Sequence, residues 1–288
     1  MTSRAHGRGR VAVVTDSTAY LPDGLAEELQ IAVVPLRVSL GSRTASDGLD
    51  LTPAEVIAAL RAKMPVTTSR PSPAQFAGVF QQCLDEGASH VVSVHLSAAL
   101  SGTWEAATLA AQDFGYGAVR VVDSRSSAMA LGFAVLAAAQ CAADGGSPAA
   151  VQEAATDTVD RTRTLFYVDT LEYLRRGGRV GAASALLATS LSVKPLLQMV
   201  EGQIVALEKV RTSTKALARL VQLTTDAAGS GPVDLAVHHL GAPERAEQVA
   251  GQLRTGIPGL GQSYVTELGP VLGAHLGPGV IGTVVVRR

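Results

Sequence analysis

The sequence is poor in sulfur, in aromatic rings and in net charge, and each shortage closes off a class of function. Cysteine occurs twice, as Cys83 and Cys141, with no CxxC pair and no His/Cys cluster at zinc spacing. A disulfide framework and a structural zinc site are therefore excluded, and a reducing, cytoplasmic setting fits best. Basic residues number 24 against 25 acidic ones, a formal net charge of -1. That is too little for a protein held to nucleic acid by broad electrostatic attraction. No window of about 18 apolar residues is free of charges or breakers, so no membrane span is expected, and at most a transient membrane contact. Residues 1–10 are basic, but no apolar core of the signal-peptide kind follows them, and they read as a disordered tail.

Several motifs are missing too. There is no GxSxG nucleophile elbow and no GxxxxGK(S/T) phosphate loop. Gly7-Arg8-Gly9 comes before the first strand, the wrong side for a dinucleotide fingerprint. No paired carboxylates and no metal-ligand cluster stand out, so no catalytic residue, metal or cofactor is expected.

What the chain has is apolar mass: 47% hydrophobic residues over 288 positions with only 4% aromatics, so the core is built from Ala, Val and Leu. The length suits two domains or one large one. Valine-rich runs at 11–14, 91–94 and 119–122 read as buried parallel strands, each running into a polar turn. Thr52-Pro53-Ala54-Glu55 and Ser72-Pro73-Ala74-Gln75 each combine an N-cap, a proline in the first turn and a capping-box partner, predicting helices to about 63 and 87. A second strand region spans 31–40, interrupted by Pro35, and a long apolar helix starts in Asp123-Ser124-Arg125-Ser126-Ser127 and runs to 144. Strands alternating with helices predict an N-terminal Rossmann-like α/β domain over 11–160, its polar turns gathered at the carboxyl edge of a parallel sheet. Beyond 161 the pattern changes to hairpins mixed with helices, including a hairpin around Glu201-Gly202 and an apolar helix over 182–191. This predicts a C-terminal α+β domain with a mixed sheet over 161–288.

The most suggestive stretch is 91–105, strand, small polar loop and helix start in that order. Ser101, Gly102 and Thr103 stand where backbone N–H groups and hydroxyls can receive a carboxylate or phosphate. Ser101 acting only as a helix cap is the plainer alternative. Thr67-Thr68-Ser69-Arg70-Pro71-Ser72 gathers hydroxyls before a helix, with Ser72 the cap and Thr68 and Ser69 free to face a ligand. Arg179 sits in a glycine-flanked loop, and His275 in a segment punctuated by Gly and Pro. His95 and His238 read as packed strand-end residues, and Asp16-Ser17-Thr18 as a structural turn.

Taken in order, Val14-Thr15-Asp16-Ser17-Thr18, Thr68-Ser69-Arg70-Pro71-Ser72, Leu100-Ser101-Gly102-Thr103, Val122-Asp123-Ser124, Leu174-Arg175-Arg176-Gly177-Gly178-Arg179 and Gly273-Ala274-His275-Leu276-Gly277-Pro278-Gly279 resemble the DegV family across 11–288. The family is similar to the fatty-acid-binding subunit of bacterial fatty acid kinase. The resemblance implies a long-chain fatty acid in an apolar tunnel between the two domains, its carboxylate presented to a separate ATP-dependent kinase subunit for acyl-phosphate formation and phospholipid synthesis. It implies Thr68 and Ser101 on the carboxylate, Ser69, Gly102 and Thr103 beside them, and Arg179 and His275 near the head-group. Arg211 and Arg176 fall where such proteins contact the kinase. Two positions depart from the family pattern. Ala45-Ser46-Asp47-Gly48 lacks the tyrosine often found before Asp-Gly, and Ala274 and Leu276 replace common threonines. The alternative reading is an enzyme acting directly on a small carboxylated or phosphorylated metabolite through Ser101 and His275.

Overall fold

The computed structural model describes residues 9–186 and 194–288. In chain order the first region contains β1 (Val11–Asp16), α1 (Leu25–Glu28), β2 (Ile31–Val34), β3 (Arg37–Leu40), β4 (Arg43–Ser46), α2 (Pro53–Arg61), β5 (Val66–Ser69), α3 (Pro73–Asp85), β6 (His90–His95), α4 (Thr103–Ala111), β7 (Val119–Asp123), α5 (Met129–Ala143) and α6 (Pro148–Asp160). The second contains β8 (Thr162–Tyr167), α7 (Glu172–Arg176), β9 (Lys194–Val200), β10 (Gln203–Val210), α8 (Ser213–Ala228), β11 (Val233–His239), α9 (Pro243–Gly256), β12 (Leu260–Glu267), α10 (Pro270–Leu276) and β13 (Ile281–Arg287).

The valine runs form a parallel sheet ordered β2-β1-β6-β7. Its inner strands are buried on both faces, as parallel strands flanked by helices must be. Phe76 and Phe80 of α3 and the alanines of α4 cover one face, while Leu131, Val135 and Ala138 of α5 and Val151 of α6 cover the other. The second sheet is mixed, ordered β10-β9-β8-β13-β11-β12, with β11 and β12 parallel and the other pairs antiparallel. Helices α8 and α9 pack on one of its faces. Met129, Ala130 and Phe133 of α5 pack on Ala236, Val284 and Val286 of the other. Helix α5 thus lies between the two sheets, which is why it is apolar on every side.

Both capping boxes form, Thr52 with Glu55 and Ser72 with Gln75. The turn between β9 and β10 has positive φ at both Glu201 (47°) and Gly202 (78°), the backbone a two-residue hairpin of type I′ requires.

Four local expectations change. The strand region at 31–40 is two strands in different sheets. Pro35, which fixes φ and lacks an N–H, separates β2 from β3, and β3 joins a small antiparallel sheet ordered β4-β3-β5. The hydroxyls at 67–69, expected only to stand before a helix, belong to a strand of that sheet, as do residues 43–46, since β-branched threonines suit a half-exposed strand. Residues 124–128 form a turn, and α5 begins only after Ala128, held at φ 55°. The punctuated segment around His275 is a short helix, α10, with Pro270 in its first turn and Gly277 (φ 75°) ending it. Of the helix expected over 182–191, a 3₁₀ turn at Gly181–Leu186 is present, and the remainder lies outside the described residues, as do residues 1–8 of the expected tail.

Candidate ligand-binding site

The turns after β1, β6 and β7 interlock at the carboxyl edge of the parallel sheet. Asp16 Oδ2 accepts from His95 Nδ1 and from the Leu96 N–H, both at 3.0 Å. Asp123 Oδ1 accepts from the N–H groups of Ala98 and Arg125 at 3.2 and 2.8 Å. Ser93 Oγ lies 2.6 Å from His95 Nε2, completing a Ser–His–Asp array. All three side chains are fully buried, so the array ties strands together instead of meeting a substrate.

Beside this edge runs an apolar channel bounded by both regions. Its cavity is about 100 Å³, counted as the space open to the centre of a water molecule. Leu100 lines it from the first region. Phe166 of β8, Met199 and Ile204 of the hairpin, and Leu272 and Leu276 of α10 line it from the second. Residues from many elements thus wall one small, largely apolar cavity.

Polar groups gather at one end. Strand alternation turns Thr68 inward while Thr67 and Ser69 face out. Thr68 Oγ1 lies 2.8 Å from His275 Nε2, joining β5 to α10. Ser69 and Arg70 are exposed at the rim, and Arg70 Nη1 donates to the Gly102 carbonyl at 3.1 Å. Arg179 Nε donates to the Leu100 carbonyl at 3.0 Å and Nη1 to the Gly177 carbonyl at 2.6 Å. Its Nη2 makes no hydrogen bond among the described residues. Burial first, and then the positive charge of Arg179, push His275 down from the usual 6.5 to about 4, so the ring is neutral. Its Nδ1 is buried with no partner among the described residues.

Thr68, Ser69, Ser101, Arg179 and His275 therefore share one cavity. Gly102 and Thr103 stand behind it. Thr103 is fully buried and its Oγ1 lies 2.9 Å from Ser101 Oγ. Gly102, and not Ser101, is the N-cap of α4, and it makes no side-chain cap. The simple capping role for Ser101 is thereby removed. Arg176 and Arg211 are exposed and do not line the channel. Arg176 Nε is bonded to Glu172 at 2.7 Å, and Arg211 lies between β10 and the start of α8.

Four supporting residues escaped the sequence reading. Arg70 stood inside a quoted motif, but its reach to Gly102 depends on tertiary placement. Gly177 leaves room for the histidine: a Cβ there would lie 2.1 Å from His275 Nδ1. Asp47 and Tyr20 hold the start of α10, Asp47 Oδ1 accepting from the Val271 N–H at 3.4 Å and Tyr20 OH accepting from the Leu272 N–H at 3.2 Å. Tyr20 in turn donates to Asp47 Oδ2 at 3.1 Å. Burial raises the Asp47 carboxyl to about 6 against these hydrogen bonds.

These features define an α/β protein with a parallel sheet, a mixed sheet and a small antiparallel one, and with an apolar channel lined by both regions that is polar at its mouth. The chain belongs to the DegV family: the family's sequence model, described as "Uncharacterised protein, DegV family", matches residues 10–288. A DegV domain-containing protein of Streptomyces coelicolor is 51% identical over 96% of this chain and 99% of its own. Among solved structures, a DegV family protein from Thermus thermophilus described by its fatty acid binding superposes with TM-score 0.92 at 36% identity, covering 97% of this chain and 100% of that one. DegV of Bacillus subtilis, described as a fatty acid binding protein, superposes with TM-score 0.88 at 32% identity over 97% and 100%.

Proposed function

We propose that this protein binds one long-chain fatty acid in the channel and presents its carboxylate to a separate ATP-dependent kinase subunit, which forms the acyl-phosphate for phospholipid synthesis. The observation that carries the reading is an apolar channel ending in Thr68, Ser101, Arg179 and His275. Each buried methylene contributes roughly 0.8 kcal/mol, while an ionised carboxylate in such surroundings needs hydrogen bonds or a cation. Nη2 of Arg179, which has no partner among the described residues, and the hydroxyls of Ser101 and Thr68 answer that need. A proton on Nε2 of neutral His275 leaves a bare lone pair on the buried Nδ1, less costly than an orphaned N–H. It also makes Thr68 Oγ1 the acceptor and frees its proton for the ligand.

In this reading the units are residues 11–160 and 161–288, with the acid held between them in the cytoplasm. The chain itself is not an enzyme and carries no cofactor beyond its bound acid. Arg176 and Arg211 lie on the outer surface that meets the kinase. Direct catalysis on a small metabolite finds little support, since Ser101 is bonded to Thr103 and His275 to Thr68, so nucleophile and base are not paired. The test is transfer itself. With ATP, fatty acid and a fatty acid kinase catalytic subunit, this protein should support acyl-phosphate formation, trapped as the hydroxamate, and neither protein alone should. Product from this chain alone would sink the proposal.

A further inference from the structure

The channel shares part of its wall with a second chamber of about 350 Å³, and Thr164 and Met199 line both. Thr164 precedes Phe166 on the same face of β8, one strand step of roughly 7 Å further from α7 and the Arg179 loop. The second chamber therefore lies beyond the end of the channel opposite Thr68 and His275. Its walls are more polar than those of the channel, with Ser124, Arg125, Ser126, Asp160, Arg163 and Glu201 among them, and the exposed side chains of Arg125, Asp160 and Glu201 leave it open to solvent on one side.

Two groups there have unused bonding capacity. Ser126 is only 7% exposed, and its hydroxyl has no partner among the described residues. Arg163 forms no ion pair among the described residues, its Nη1 donating to the carbonyls of Thr162 at 2.8 Å and Asp160 at 3.4 Å. Arg125, by contrast, is spent on Asp160 and on Glu201 at 3.2 Å. Two arginines against two carboxylates leave the chamber without net charge, which favours a neutral polar group over a second anion.

Resting on the fatty-acid reading, we infer that this chamber seats a hydroxyl at or near the distal end of the acyl chain, so that the protein accepts hydroxylated long-chain acids beside plain ones. A closed apolar end would leave such a hydroxyl buried and unpaired, weakening binding about tenfold or more.

The test compares delipidated full-length protein binding hexadecanoic acid and ω-hydroxyhexadecanoic acid by displacement of a fluorescent fatty acid, with the octadecanoic pair run alongside. In at least one pair the hydroxy acid should bind within about threefold of its parent. Ser126→Ala should leave the parent acid unchanged and weaken the hydroxy acid by roughly threefold to tenfold, one neutral hydrogen bond. Hydroxy acids more than tenfold weaker at both lengths, or an unaltered ratio in Ser126→Ala, would overturn the inference while leaving the fatty-acid reading intact. Failure of both parent acids to bind would overturn the two together.

Discussion

At the scale of single residues, the mouth of the channel is a set of polar side chains that brace one another. Ser101 is braced by Thr103 and His275 by Thr68. With Ser101 on the carboxylate, as proposed, Ser101→Ala removes a hydrogen bond to a charged group, and fatty-acid affinity should fall about tenfold or more in a displacement titration. Stability should drop by only about 1 kcal/mol, the cost of leaving Thr103 without its partner. The buried titratable groups also set a pH dependence. His238 is held near 4 by burial, with His239 adding to the effect. Its Nε2 accepts from the Met129 N–H at 3.1 Å, so a second proton would break that bond. His238 and His275 both lie below the usual 6.5, so each costs stability as pH falls from 6.5 towards 4. Asp47 acts in the opposite sense, since a carboxyl raised from 3.8 to about 6 gains stability as pH falls through that window. Two histidines outweigh one aspartate. Unfolding free energy should fall by about 2 kcal/mol between pH 7 and pH 5, and denaturant melts at both pH values measure it.

At the scale of elements, α7 and α10 meet where Gly177 passes the His275 ring. Gly177→Ala has an ordinary backbone, φ -75°, but its Cβ would stand 2.1 Å from Nδ1. The ring must shift away from Thr68. Fatty-acid affinity should fall roughly tenfold, with about 1–3 kcal/mol of stability lost to overpacking. Unaltered affinity would show that the Thr68–His275 contact does not matter for binding. The helices with capping boxes were legible because their signals are local: Thr52, Ser72 and the prolines after them suffice. Strand β5 was not, since Thr67-Thr68-Ser69 becomes a strand only by pairing with β3. Helix α10 was hidden for a similar reason. Its seven residues gain their fold from Asp47 and Tyr20, which are more than 200 positions away in sequence.

At the scale of the molecule, the two sheets were legible from the alternation of valine runs and helices, followed by the change to hairpins. The uniformly apolar α5 announced burial, but not that it would lie between the sheets. The residues of the mouth were legible as motifs, whereas their convergence was not, because β5, the loop before α4, the Arg179 loop and α10 meet only in the folded chain. The channel between the regions is the claim on which everything else depends, and the direct test is mass spectrometry of the organic extract of the purified protein. A long-chain fatty acid at close to one per chain is the predicted result, and its identity would report the preferred acyl length and unsaturation. An extract with no fatty acid, from protein that also fails to take one up when it is supplied, would contradict the account.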